Sequence, residues 1–175
     1  MRKILFTLTV TLCAIFLIAP PLHAQGIGTP LGKGGAGSQG PVKITADSLL
    51  VRQKSKTALF SGNVFATRGN VKLKSKKLTV YYVETLVAGK KNTKVKTLHA
   101  VGNVHVTSKD QVATGNWAKM NMDTGIITMG DNVLLTQGKT TLKGSKLEVN
   151  SKTGISRLLS NKKGGRVQGY FGGSK

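Results

Sequence analysis

The sequence predicts an all-β protein assembled from short strands on a repeated unit. Apolar residues recur at every second position, and no stripe of helical spacing interrupts that alternation. Runs of Val, Ile, Leu, Thr and Lys are broken by Gly, Asn or Asp about every ten residues, in a chain with 22 glycines and 4 prolines. Short phrases also return at fixed spacing along the chain.

The elements follow in order. Residues 1–24 begin with Arg2 and Lys3, run apolar from Ile4 to Ala19, and end Pro20-Pro21-Leu22-His23-Ala24, which reads as a secretory signal cleaved after Ala24. Prolines at the end of the run oppose an uncleaved anchor helix. Cys13 lies inside the run, behind Val10-Thr11-Leu12, and is expected to leave with it. Cleavage leaves 151 residues without cysteine, so burial and hydrogen bonding must hold the fold. Residues 25–40 hold seven glycines and no hydrophobic period, as in a flexible leader. The strand pattern occupies 41–160. Residues 161–175 form a basic tail with Lys162, Lys163 and Arg166; they read either as a mobile arm or, through Tyr170 and Phe171, as a final strand.

Within 41–160 two phrases alternate. Ser61-Gly-Asn-Val64, Val101-Gly-Asn-Val104 and Gly130-Asp-Asn-Val133 share one phase. Ala46-Asp-Ser-Leu-Leu-Val51, Ser75-Lys-Lys-Leu-Thr-Val80, Gly115-Asn-Trp-Ala-Lys-Met120 and Gly144-Ser-Lys-Leu-Glu-Val149 share the other. Steps of 13 and 16 residues separate them, so the unit is 29 residues long. Val80 to Val104 is 24 residues, which places an 11-residue insertion around 84–94, where Gly89-Lys-Lys-Asn-Thr supplies turn chemistry. One apolar face per strand cannot be buried by a unit alone. The units must stack, and parallel coils of a β-solenoid satisfy the periodicity as well as antiparallel strands of a jellyroll do.

Charge and side-chain chemistry narrow the function. The chain has 27 Lys+Arg against 6 Asp+Glu; its charge of +21 falls to +19 when Arg2 and Lys3 are removed. An exported chain this basic seeks an anionic surface or polymer. One Cys, three His and six carboxylates leave little for a triad, a carboxylate pair or a metal cluster, so neither an enzyme nor a cofactor is expected. His99 and His105, read as lying on two strands joined through a Gly102-Asn103 turn, lack a third ligand. Asp47, Asp123 and Asp131 fall at turns, where carboxylates accept backbone N–H groups, and Gly62, Gly102 and Gly125 suit hairpins or bulges. Trp117 has the parity opposite to Ala118 and Met120, in register with Lys77 and Lys146, which predicts an outward ring: a partner contact, or packing under a loop.

Several of these phrases carry a resemblance. Ile44-Thr-Ala-Asp-Ser-Leu49, Phe60-Ser-Gly-Asn-Val64, Val71-Lys-Leu-Lys-Ser-Lys-Lys-Leu78 and the returning Gly102-Asn-Val104 resemble the OstA-like family of LptA-type periplasmic lipopolysaccharide-transport proteins, over roughly 42–149. The resemblance implies a β-jellyroll of stacked antiparallel strands, opened as a twisted V with an apolar groove. It also implies a passive carrier of lipid A acyl chains in the periplasm, bridging inner and outer membranes as a head-to-tail homo-oligomer between LptC-like and LptD-like components. The apolar positions then expected to line the acyl groove are Leu49, Val51, Phe60, Val64, Leu78, Val80, Tyr82, Val104, Met120, Met122, Leu135, Leu147 and Val149. Arg68, Lys72, Lys74 and Lys76 are expected near the head-group phosphates. Burying methylenes at about 0.8 kcal/mol each makes an open groove a sufficient binder. The competing expectation is a periplasmic polyanion-binding or scaffolding protein, whose binding would collapse with salt where acyl capture would survive it.

Overall fold

A computed structural model describes residues 41–87, 89–109, 111–160 and 165–172. The expected signal segment and leader, and residues 161–164 and 173–175 of the tail, lie outside the described residues. The strands are β1 Lys43–Thr45, β2 Ser48–Arg52, β3 Thr57–Arg68, β4 Val71–Val87, β5 Lys90–Ser108, β6 Gln111–Asn121, β7 Ile126–Gln137, β8 Thr140–Asn150, β9 Ser156–Leu159 and β10 Gln168–Phe171. They form one sheet. From β3 to β8 each strand pairs with the next, always antiparallel, while β1 and β2 share the free side of β3 and β9 and β10 share that of β8. The antiparallel meander excludes the solenoid: each 29-residue unit is two strands running out and back, and the sheet never closes. β10 places Tyr170 and Phe171 in the sheet, beside Thr141 and Thr140.

Each long strand is interrupted near its middle, and the β4–β5 pair shifts register a second time between Tyr81 and Tyr82, at the root of the insertion. Pairing registers shift between Ser61 and Val64, Lys74 and Lys77, Val101 and Val104, Thr114 and Trp117, and Gly130 and Val133. In β3, β5 and β7 the extra residues adopt left-handed backbone: Gly62 and Asn63 (φ 79° and 43°), Gly102 and Asn103 (86° and 49°), Asp131 and Asn132 (61° and 57°). Glycine enters that region without steric penalty, and Asn and Asp tolerate it better than other side chains. The Gly-Asn-Val phrases therefore mark bulges inside strands, and the aligned bulges crease the whole sheet. His99 and His105 accordingly lie on one strand, β5, either side of its bulge, and not on two strands joined by a turn.

The hairpin turns are built elsewhere, and they too repeat. Asn121 Oδ1 accepts the N–H groups of Asp123 and Thr124, both at 3.0 Å, and Gly125 N–H returns to the Asn121 carbonyl at 2.9 Å. Twenty-nine residues later Asn150 does the same for Lys152, Thr153 and Gly154. Ser151 donates both its N–H (2.9 Å) and its hydroxyl (2.8 Å) to the Gly125 carbonyl, stitching one turn to the next.

On one side of the crease the inward rungs run Phe60–Leu78–Ala100–Ala118–Met129–Leu147 and Ala58–Val80–Leu98–Met120–Ile127–Val149. On the other side Ala66–Leu73–Val106–Ala113–Leu135–Leu142 form the matching row. Both rows belong to one apolar cluster. Trp117 is half-buried on the outer face, where the sequence alone predicted exposure. Its indole covers Gly130, its cross-strand partner: a Cβ there would fall 2.6 Å from Nε1. Gly130→Ala is expected to expel the ring at a cost of about 1–3 kcal/mol. Trp117 is the single tryptophan, so a shift of intrinsic fluorescence to longer wavelength checks it; unchanged emission would show that the ring is held by something else.

The insertion is an extension of one hairpin. Six rungs, from Tyr82–Val95 to Val87–Lys90, continue β4 and β5 into an arm with Gly89 (φ 75°) in its turn. β3 pairing stops at Tyr81 and β6 pairing at Thr97, so neither edge of the arm has a neighbouring strand. Its base is pinned on both sides. Lys56 pairs with Glu84 and accepts the Tyr82 N–H on its carbonyl at 3.0 Å, while Lys94 (2.8 Å) and Lys96 (2.5 Å) grip the Asp123 carboxylate. The hydrogen bond from Lys56 keeps the Glu84 carboxyl below the usual range. Hydrogen bonds from Lys94 and then Lys96 lower Asp123 to about 2. A carboxyl depressed in the folded state stabilises it above its ordinary pKa and ceases to do so as pH falls through the depressed value. The Asp123 latch is thus expected to hold from neutral pH to about 4 and to release near 2. A carboxyl NMR titration of Asp123 with an ordinary midpoint near 4 would show that the latch does not form in solution.

Candidate functional site

The two inward rows leave a partly open cavity of about 80 Å³ between them. Val42, Ala66, Val71 and Leu73 line it, with Val106, from one row, and Leu78, Leu98, Ala100, Ala118, Met120 and Ile127 from the other. Arg68, of inward parity, completes the lining with its aliphatic stem, while Thr67 and Lys119 border the space but alternate with inward Ala66, Ala118 and Met120, which puts their side chains on the outer face. Arg68 ends β3 and Met122 follows β6. Arg68 Nη1 stands 3.8 Å from Met122 Sδ, a contact that joins the far ends of the two rows. A cavity of about 150 Å³ holds a ligand the size of benzene, so a long acyl chain requires the rows to part.

Such a site performs no bond chemistry. It offers dispersion contacts and water exclusion along an apolar wall, with one cation, Arg68, beside it. Among the described residues no three His, Cys, Asp or Glu side chains gather in a metal-binding arrangement.

Comparisons with known proteins bear on the family and the fold. A family profile described as LptA/(LptD N-terminal domain) LPS transport protein matches residues 43–155, which spans β1 through the turn before β9. The chain belongs to that family. Membership gives it a role in lipopolysaccharide transport. The crystal structure of LptH, the LptA-homologous periplasmic component of the lipopolysaccharide transport device of Pseudomonas aeruginosa, superposes with a TM-score of 0.64 at 17% identity, covering 76% of this chain and 96% of that one. An uncharacterised protein of Rhizobium meliloti (strain 1021) is 28% identical over 173 residues, 89% of this chain and 91% of that protein. The β-jellyroll of stacked antiparallel strands is therefore the fold of a lipopolysaccharide-transport domain.

Within this family fold the sequence-derived groove residues divide into four groups. Leu78 and Met120 line the cavity, and Met122 stands at its rim. Val64, Val80, Val104, Leu135, Leu147 and Val149 are buried in the surrounding core, with Phe60 packed against it. Tyr82 is half-buried at the base of the arm. Leu49 and Val51 have inward parity, opposite Phe60 and Ala58, but lie on the terminal strand β2 and are 55% and 46% exposed.

The four cations also separate. Only Arg68 belongs to the cavity lining. Lys72 and Lys74 alternate with inward Leu73 and so stand on the outer face, opposite Thr67 and Phe65; Lys76 sits in the β4 bulge with its stem over Gly102. Their grouping with Arg68 rested on sequence proximity, which strand parity undoes. Leu98, Ala100, Ala118, Ile127, Ala66, Leu73 and Val106 were missed as lining residues. Alternation away from the quoted phrases carried a signal for Leu98 and Ala100, two residues apart like Leu78 and Val80.

Proposed function

We propose that the chain carries lipid A acyl chains in the groove between the two inward rows, as a passive conduit between inner and outer membranes. One observation supports this most directly: the partly open space is lined almost wholly by apolar side chains drawn from both rows, with Arg68 beside it. Arg68 then meets the head-group phosphates, while the outer lysines 72, 74, 76 and 119 contribute long-range attraction.

Copies join head to tail. β1 and β2 leave an open backbone edge at one end of the stack, and β9 and β10 leave one at the other, where Phe171 is 67% exposed. Strand addition between these edges would extend the groove, and the same edges suit LptC-like and LptD-like jellyrolls at the two membranes.

The test is photo-crosslinking of the mature protein to lipopolysaccharide, with the probe at Leu98, Met120 or Ile127 and, as a control, at the outward Lys77. Crosslinks that persist in high salt at the first three and are absent at Lys77 support acyl capture. Capture at lysines alone, lost in high salt, would make the groove plain core and the protein a polyanion binder.

A further inference from the structure

The hairpin arm built by Tyr82–Val87 and Lys90–Val95 is a departure from the repeat, and stacking does not need it. We propose that this arm is a docking element for an anionic lipid bilayer surface.

Four observations carry the proposal. The arm runs about 20 Å past the last rung it shares with its neighbours, at the usual rise of about 3.4 Å per residue. Near its end Leu86 is 73% exposed, more than any other large hydrophobic residue among those described, and it pairs directly with Lys91, beside the Val87–Lys90 rung. Lys90 and Lys91 stand beside it at the tip, and the arm's one acid, Glu84, is already engaged by Lys56, while Lys94 is held at the root by Asp123. An exposed apolar side chain with two lysines beside it matches the interface of a bilayer with negative head groups: Leu86 enters the acyl boundary while Lys90 and Lys91 remain at the phosphates.

The fourth observation concerns direction. A free two-stranded ribbon is marginally stable in water. This one is fixed at its root on both edges, by Lys56 to Glu84 and by Lys94 and Lys96 to Asp123, so its tip keeps a set position relative to the sheet. The inward face of β4 continues into it without a break, because Leu78, Val80, Tyr82, Glu84 and Leu86 keep one parity and the bulge there adds its residue to β5. One wall of the groove thus runs on into the arm. Docked at its tip, the protein presents the groove to the bilayer along that wall.

Flotation of the mature protein with lipid vesicles tests this. Vesicles of mixed phosphatidylcholine and phosphatidylglycerol are expected to bind at least about tenfold more protein than pure phosphatidylcholine. Lys90→Glu with Lys91→Glu should lower that binding about tenfold, and Leu86→Ser about threefold. Lys139→Glu with Lys143→Glu makes the same charge change on exposed residues far from the arm in the sheet order and should lower it less than twofold. Equal losses from the two lysine pairs would overturn the proposal, since the overall charge would then carry the binding. So would binding indifferent to lipid charge, or no binding at all. Far-UV circular dichroism confirms that each variant folds. Groove crosslinking in the same variants should be unchanged, so the arm and the acyl groove fail independently.

Discussion

Leu78→Ala is expected to lower the free energy of unfolding by about 3 kcal/mol, within the 2–5 kcal/mol typical of buried leucines. Leu78 is fully buried at the centre of a rung, between Phe60 on β3 and Ala100 on β5. Ala100 and Ala118 follow on the next two strands and are too small to close over the space left behind. For a domain whose whole stability is about 5–15 kcal/mol, that loss is readily measured by urea unfolding. A loss below about 1 kcal/mol would mean that the site collapses around the alanine. Leu78 also lines the cavity, so the same change widens the groove. Lower stability with undiminished lipopolysaccharide capture is the expected pairing.

Met120→Asp should give the reverse. Met120 stands between Leu98 and Ile127 on the cavity wall and is only half-buried. In the empty protein a carboxylate there still reaches water, so unfolding should cost about 1 kcal/mol less at most. With an acyl chain in place the same carboxylate is desolvated without a partner, a penalty of several kcal/mol. Capture should therefore fall at least tenfold while the fold persists, and Met120→Leu, which preserves volume, should restore it. Undiminished crosslinking in Met120→Asp would put the acyl chains elsewhere. Together the two variants separate core from groove, a distinction that alternation alone does not make.

What the sequence conveyed follows the range over which each interaction acts. Strand parity is local, and it placed Leu78, Val80, Leu147 and Val149 inward. The repeat was readable because a left-handed bulge demands Gly, Asn or Asp, and Gly62-Asn63, Gly102-Asn103 and Asp131-Asn132 therefore stand out. Whether those phrases closed hairpins or creased strands depended on partners many residues away. The choice between antiparallel strands and parallel coils was hidden for the same reason. Within the site, Ala100 escaped notice and Ala118, though read as inward, was not counted as lining, because small residues reveal their role only when opposing walls are in place. Lys72 and Lys74 looked convergent with Arg68 because neighbours in sequence alternate faces in a strand. Trp117 had the outward parity expected of it, but its burial depends on Gly130, absent a side chain, on the next strand.

The aligned bulges have one more consequence, for growth. Every long strand bends at the same level, so the cross-section of the stack is the same at each step along its axis. A duplicated 29-residue unit adds two strands, hence about 9.5 Å of length, and meets its neighbours with the contacts they already make. Span can thus be adjusted in fixed increments by duplication or loss of units within one gene, as well as by adding whole copies, and neither route requires the channel profile to be redesigned.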